Sequence, residues 1–182
     1  METQNEMEIA TLAGGCFWCT EAVFLELEGV KSVISGYIGG NTENPTYAEI
    51  CNGDTGHAEA IQITFDPNQI TFGELLEIFF ATHDPTTLNR QGNDIGTQYR
   101  SEIFYNSIFQ KEFAEEYIAL LTKENTFGKP IVTAISPTSK FYEAEDYHQN
   151  YYNQNKEKSY CSYVITPKMV KLKKFYQDKL VK

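Results

Sequence analysis

The side chains best suited to nucleophilic chemistry in this sequence are two cysteines, Cys16 and Cys19, separated by an aromatic pair. A strand-like segment from Ile9 to Leu12 precedes them, and a helix-like segment from Phe17 to Leu27 follows. We therefore predict that Cys16 lies where a strand turns into a helix. Unpaired backbone N–H groups and the positive end of the helix dipole meet at such a turn and stabilise a thiolate. Because the thiolate is the reactive form of cysteine, Cys16 is the candidate nucleophile.

The C-x-x-C spacing by itself is compatible with other kinds of chemistry. A dithiol oxidoreductase would use both Cys16 and Cys19, and a zinc site would need further ligands from elsewhere in the chain. A cysteine hydrolase would pair Cys16 with a histidine, either His57 or His148. The sequence has no second C-x-x-C and no H-x-x-x-H pair, which disfavours a zinc site. The two aromatic residues between the cysteines favour a pocket for a small apolar group.

Glu59 is the candidate proton donor. It lies at the start of the segment from Ala58 to Phe65, whose alternating apolar residues predict a half-buried strand. A glutamate at the start of a strand is either a solvated rim residue or a partly buried carboxyl. In the second case, desolvation raises the pKa, so the group stays protonated near neutral pH and can donate a proton. The sequence leaves both interpretations open.

Four further residues have side chains that could contribute to a site. Tyr47 falls in the first turn of a predicted helix that begins after Thr46, whereas Asp94 and Tyr99 fall at the end of a polar connection over residues 83–99. Long polar loops inside compact domains are often functional. Cys161 follows a polar stretch, and we predict that it lies in a weakly structured segment from which it could move to another thiol. None of these residues has an assignable role when considered alone.

The elements that must position these residues alternate between strand and helix. The pattern predicts an α+β fold, with one mixed sheet and helices packed on it, in a single domain over residues 1–182. We expect residues 1–6 to be a flexible N-terminus and roughly residues 143–182 to be rich in loops. Besides the elements already named, the predicted strands are residues 33–38, 101–105 and 130–135, and the predicted helices are residues 71–80, 107–125 and 168–180.

Composition narrows the class of protein. The chain has 182 residues and a net charge of −10, which argues against general nucleic-acid binding. Residues 156–182 are an exception, with eight lysines against two acidic residues, and we interpret them as a solvated basic tail helix. The acidic, polar N-terminus does not resemble a signal peptide, and no apolar stretch is long enough to cross a membrane. Four cysteines without an export signal predict reduced thiols and a cytoplasmic protein. The sequence does not indicate an oligomeric state, and we take a monomer as the default.

Taken together, the motifs resemble the A-type peptide methionine sulfoxide reductases over nearly the whole chain. Several motifs in one order are far more specific than any one of them. The resemblance rests on seven runs of sequence: residues 14–21 (GGCFWCTE), 44–47 (NPTY), 55–60 (TGHAEA), 83–86 (HDPT), 90–94 (RQGND), 96–100 (GTQYR) and 141–149 (FYEAEDYHQ).

The resemblance implies a two-layer α/β sandwich around a mixed, largely antiparallel sheet, with an irregular C-terminal segment. It also implies thiol-dependent reduction of methionine-S-sulfoxide, free or in proteins. Cys16 would be the nucleophile and Glu59 the proton donor. Hydrogen bonds to the sulfoxide oxygen would come from Tyr47 and Tyr99. Phe17 and Trp18 would hold the S-methyl group, and Asp94 would support the polar side of the site.

The same resemblance implies how the enzyme is recycled. Cys161 matches the family's resolving position, so we expect a Cys16–Cys161 disulfide that thioredoxin reduces directly. The chain lacks the glycine-rich tail and the further recycling cysteine of some members. Cys19 is the competing resolving thiol because it is near Cys16 in sequence. The resemblance implies no metal ion and no bound cofactor, so the external reductant would supply the electrons.

Overall fold

A six-stranded sheet, in the order β7-β6-β1-β3-β2-β8, forms the centre of the fold. The computed structural model describes residues 6–182, so residues 1–5 of the predicted flexible N-terminus lie outside the described residues. All neighbouring strands of this sheet are antiparallel except β6 and β7. The prediction of a mixed, largely antiparallel sheet is therefore confirmed. The strands are β1 (Glu8–Gly14), β2 (Val30–Ile38), β3 (Ala58–Phe65), β4 (Arg90–Gln91), β5 (Asp94–Ile95), β6 (Ser101–Tyr105), β7 (Ala134–Pro137) and β8 (Tyr142–Glu143), with β4 and β5 forming a separate hairpin.

The alternating residues of strand β3 show which face of the sheet carries the large core. Ile61, Ile63 and Phe65 are fully buried in the large core, whereas Ala58 and Ala60 belong to a small cluster on the opposite face. The period-2 pattern of the sequence is thus confirmed, since successive side chains of a strand point to opposite faces. Glu59 has the same parity as Ile61 and therefore points towards the large core.

The helices cover the face of the sheet that carries the large core, which gives the two-layer arrangement. Two helices begin with complete capping boxes, Thr46 with Glu49 and Thr71 with Glu74, as the sequence signature predicts. The first helix packs on β2 and β3. The helices are α1 (Phe17–Leu25), α2 (Tyr47–Asn52), α3 (Phe72–Thr82), α4 (Ile108–Lys123), α5 (Tyr151–Gln154) and α6 (Thr166–Phe175).

The C-terminal part of the chain differs from the sequence-based expectation in two places. The strand expected over residues 130–135 is β7, which begins four residues later. The segment around Cys161 is not weakly structured, because a π-helical turn over Cys161–Ile165 continues directly into α6. The physical reason is a helical spacing of apolar residues, since Cys161, Ile165, Met169 and Leu172 are all buried. Across residues 6–182, no helix has both the length and the apolar character needed to cross a bilayer.

Candidate active site

Cys16 lies between β1 and α1, at the position that caps the N-terminus of α1. The predicted strand-to-helix turn is therefore correct. The preceding Gly15 has φ +95°, and a Cβ there would come within 2.6 Å of the Gln91 side chain, so only glycine fits this turn. Cys16 is 7% exposed and reaches solvent through a pocket of about 270 Å³ that it shares with Cys19 and Asp94.

The Cys16 thiol differs electrostatically from the expectation. Burial raises its pKa well above the ordinary value, and a hydrogen bond with Cys19 and the charge of Glu59 act in the same direction. The Trp18 backbone N–H at the helix start opposes this rise, as the dipole argument predicts, but it is outweighed. The prediction of a stabilised thiolate was wrong for the resting protein, because desolvation costs the charged form more than the helix terminus returns.

Glu59 is a buried carboxyl and not a solvated rim residue. It is 2% exposed, and its Oε1 atom accepts a hydrogen bond of 3.2 Å from the backbone N–H of Phe17. This bond places the carboxyl beside the first turn of α1, immediately next to the nucleophile. Burial raises the pKa of Glu59 to about 8, with a smaller contribution from the charge of Asp94, while the Phe17 N–H opposes the rise. Glu59 is therefore mostly protonated at neutral pH.

Tyr47 and Tyr99 are half-buried and lie near this carboxyl. Burial is the main cause that raises the pKa of each tyrosine, and the charge of Glu59 raises both further. The Cys16 thiolate raises the pKa of Tyr99 as well. Both hydroxyls therefore stay neutral hydrogen-bond donors throughout the physiological range. The structure thus brings together Cys16, Glu59 and the two tyrosines, which the sequence places on four separate segments.

Phe17 and Trp18 belong to an aromatic cluster beside Cys16. The Trp18 indole is stacked on Tyr151, with ring centroids 3.8 Å apart, and its Nε1–H donates to Nδ1 of His148 over 3.0 Å. Phe17 is fully buried, and its ring lies 5.1 Å from His148. The indole bond leaves the proton of His148 on Nε2, and burial lowers the pKa of the imidazole, so the ring is neutral. Sequence reasoning assigned no role to Tyr151 or His148 in this wall, although His148 lies inside a run that carries the resemblance.

A second cluster connects the hairpin of the long loop to the C-terminal segment. The Tyr160 hydroxyl donates to Oδ2 of Asp94 over 2.6 Å and lies 3.6 Å from Sγ of Cys19. Asp94 therefore lies in the pocket of the cysteines, but its partner is Tyr160, which sequence reasoning missed. The pKa of Cys19 is lowered to about 7, mainly by the hydrogen bond from Cys16, with Lys168 and Tyr160 also contributing.

Among residues 6–182, Cys161 and Cys16 are free thiols that no disulfide joins. All four cysteines are free thiols, and Cys161 is fully buried in the π-helical turn. Burial raises the pKa of Cys161, and the charge of Cys19 raises it further. Cys51, near the end of α2, is the exposed one of the four cysteines.

The side-chain geometry does not fit a zinc site or a cysteine hydrolase. Among residues 6–182, no group of three or more His, Cys, Asp or Glu side chains could hold a metal ion. His57 Nδ1 accepts a bond from the Gly40 N–H over 2.9 Å, and its Nε2 contacts the Thr42 carbonyl at 2.7 Å. Nδ1 of His148 is occupied by Trp18. Neither histidine therefore forms the thiol–imidazole pair that a hydrolase requires.

Comparisons with known proteins agree with this site. The family model of peptide methionine sulfoxide reductase matches residues 8–180. The chain belongs to this family. The family is one of oxidoreductases, so the resemblance based on the sequence motifs is confirmed, and a general dithiol oxidoreductase is not needed to explain the cysteine pair.

One relative and two solved structures illustrate the extent of the similarity to this reductase family. A curated protein of Deinococcus radiodurans, "Peptide methionine sulfoxide reductase MsrA", is 60% identical, and the alignment covers 95% of this chain and 84% of the relative. The crystal structure of Mxr1 from Saccharomyces cerevisiae in reduced form superposes with a TM-score of 0.77 at 36% identity, covering 88% of this chain and 92% of Mxr1. A structure of Mxr1 from Saccharomyces cerevisiae in complex with Trx2 superposes with a TM-score of 0.54 at 29% identity. The alignment covers 83% of this chain and 88% of the Mxr1 chain.

Proposed function

We propose that the chain reduces methionine-S-sulfoxide, free or in proteins, to methionine, with Cys16 as the nucleophile and Glu59 as the proton donor. One observation carries the residue assignment. Glu59 is a buried carboxyl with a pKa of about 8, and the backbone N–H of Phe17 holds it beside the cysteine. A neutral carboxyl next to a thiol is what attack on a sulfoxide requires, because the oxygen must be protonated as charge develops on it.

The reaction balances with these groups alone. The Cys16 sulfur attacks the sulfoxide sulfur while Glu59 gives its proton to the oxygen, and Tyr47 and Tyr99 donate hydrogen bonds to the same oxygen. The oxygen then passes to Cys16 as a hydroxyl, the sulfoxide S–O bond breaks, and methionine leaves. The proton of the Cys16 thiol replaces the one that Glu59 gave. Methionine sulfoxide and a thiol thus become methionine and a sulfenic acid.

Selectivity for the S configuration follows from the two sides of the site. The aromatic rings of Phe17 and Trp18 form an apolar wall for the S-methyl group, and Asp94 supports the polar side. In the R-configured sulfoxide the methyl group and the oxygen exchange places. The oxygen would then contact the aromatic rings, and the methyl group would contact the tyrosine hydroxyls. Burying an oxygen without a hydrogen-bond donor costs about 1–3 kcal/mol or more, which disfavours the R configuration.

Recycling requires a second thiol and an external reductant. We propose that recycling leads from the sulfenic acid to a Cys16–Cys161 disulfide, and that thioredoxin reduces this disulfide by exchange. The complex of yeast Mxr1 with Trx2 supports a thioredoxin partner. In this proposal a single reductase domain works in the cytoplasm as a monomer, without a bound cofactor or metal and without nucleic acid.

A single turnover without added reductant tests this function. Fully reduced protein is mixed separately with peptides that carry S- or R-configured methionine sulfoxide, and the methionine formed and the thiols lost are counted. One methionine and two lost thiols per chain with the S peptide alone are expected. If neither peptide yields methionine and the thiols stay intact, the proposed reaction is wrong.

A further inference from the structure

Cys19 is the thiol placed to meet a newly formed sulfenic acid on Cys16, if Cys16 reacts as proposed above. The Cys19 N–H donates to the Cys16 carbonyl over 3.0 Å, which closes a helical turn between the two residues. Residues three apart in a helical turn have Cα atoms about 5 Å apart, within the range of about 4.4–6.8 Å across which disulfides form. The two thiols are close enough for each to shift the pKa of the other, and they line the same pocket. This C-x-x-C spacing at a helix N-terminus is the one that redox-active dithiols use, so the two sulfurs can join.

Cys161 is held away from the reaction by three separate features. Its side chain is fully buried in the large core, together with Ile165 of the same turn and with apolar residues of α6. The preceding residue, Tyr160, is tied to Asp94 by a hydrogen bond of 2.6 Å. The Cys161 carbonyl accepts a bond of 3.1 Å from the Thr166 hydroxyl within the π-helical turn. A direct attack on Cys16 would first require this turn to leave its packing.

We propose that Cys19 is the first resolving thiol and passes the disulfide to Cys161. In the first step, Cys19 sulfur attacks the Cys16 sulfenic sulfur, the S–O bond breaks, and the hydroxyl leaves as water with the proton of the Cys19 thiol. This sulfenic acid and thiol become a Cys16–Cys19 disulfide and water, in a two-electron step that needs no external oxidant. In the second step, the Cys161 thiol loses its proton and its sulfur attacks Cys16 sulfur. The Cys16–Cys19 bond breaks, and Cys19 leaves as a thiolate that can take up the proton released by Cys161.

The surroundings of Cys19 suit both steps. Its pKa of about 7 gives a large thiolate fraction at neutral pH, and a low pKa also makes a good leaving group in the exchange. The Tyr160 hydroxyl lies 3.6 Å from Sγ of Cys19, so this sulfur also contacts the residue next to Cys161. Disulfide formation removes the Cys19 S–H group, so Cys19 can no longer donate a hydrogen bond to this hydroxyl, which already donates to Asp94. The first disulfide thereby removes one of the interactions that hold the Cys161 turn in place.

The first experiment is a single turnover of Cys161→Ser with the S peptide, followed by peptide mapping. The proposal predicts one methionine, two lost thiols and a Cys16–Cys19 linked peptide. One methionine with a single lost thiol, and a Cys16 sulfenic acid that dimedone traps, would overturn the relay while leaving the reductase reaction intact. Absence of methionine would instead refute the proposed function. Cys161→Ala, which keeps the buried site apolar, repeats the measurement if the serine variant does not fold.

The second experiment follows Cys19→Ser over time after mixing with the same peptide. The methionine burst is expected to remain, while the dimedone-reactive Cys16 persists at least about tenfold longer than in the wild type, because only Cys161 is left to resolve it. Formation of a Cys16–Cys161 disulfide at the wild-type rate would refute the relay. Ser139→Ala, at an exposed loop position, is the control and should not change the kinetics of either disulfide.

Discussion

Replacing Glu59 by glutamine should make the protein more stable and less active at the same time. The carboxyl has a pKa of about 8 in the folded chain against an ordinary value of 4.5. Between these two pH values the folded protein binds a proton that the unfolded chain has lost. The stability of the wild type therefore falls as pH rises through this window, by about 1.4 kcal/mol for each pH unit. Glutamine does not titrate, so the stability of the variant does not fall with pH for this reason.

The structure sets the size of the effect. The difference in the free energy of unfolding between variant and wild type should widen from about pH 4.5 and level off above pH 8, at a ceiling of about 4–5 kcal/mol. The glutamine side-chain oxygen can still accept the bond from the Phe17 N–H, so the fold should tolerate the change. The second-order rate constant kcat/KM should fall about 10²–10⁴-fold, because the variant has no proton to donate.

Urea unfolding of reduced protein at pH 5, 7 and 9 measures the first quantity, and single-turnover methionine formation measures the second. The methionine-forming step of the wild type should slow above about pH 8, where Glu59 loses its proton, and this decline should be absent in Glu59→Gln. Glu28→Gln, which removes an exposed carboxyl from the surface, is the control and should change the unfolding free energy by less than about 0.5 kcal/mol. A difference between Glu59→Gln and the wild type that does not vary from pH 5 to 9 would refute the reasoning.

Three further outcomes follow from the same structure. Tyr47→Phe and Tyr99→Phe should each lower kcat/KM by about 10–100-fold with the S peptide, and an unchanged rate in both would exclude them as oxygen donors. Phe17→Ala should cost about 3–5 kcal/mol in urea unfolding, because the ring is fully buried, whereas a loss under 1 kcal/mol would mean that the wall is loosely packed. Since no metal-binding group of side chains exists in residues 6–182, treatment with EDTA should leave activity and Tm unchanged.

Local signals were sufficient for most of the secondary structure. The alternation of β3 follows directly from the two-residue period of a strand, and its predicted bounds match those observed. The capping boxes at Thr46 and Thr71 are read from residues three apart, so they need no knowledge of the rest of the fold. The turn at Cys16 was equally readable because strand-like, glycine and helix-like residues follow one another in the sequence.

In the C-terminal segment, the local sequence pattern did not lead to the correct structure. The spacing of Cys161, Ile165, Met169 and Leu172 is helical and would have predicted a buried helix face. That signal was outweighed by the polar and tyrosine-rich residues before it, which suggested a loop. Whether such a face is buried depends on the presence of a matching apolar surface, which other parts of the chain provide.

The sequence by itself determined the family, the chemistry and the identity of the residues proposed to perform it, because these depend on residue types in a fixed order. Only the tertiary structure decided their protonation and their partners. The pKa values of Cys16 and Glu59 depend on burial, which is a property of the whole packed chain. The bond from Trp18 to His148 joins residues 130 positions apart, and the one from Tyr160 to Asp94 joins residues 66 apart. Such contacts arise when distant segments pack together, and no local pattern encodes them.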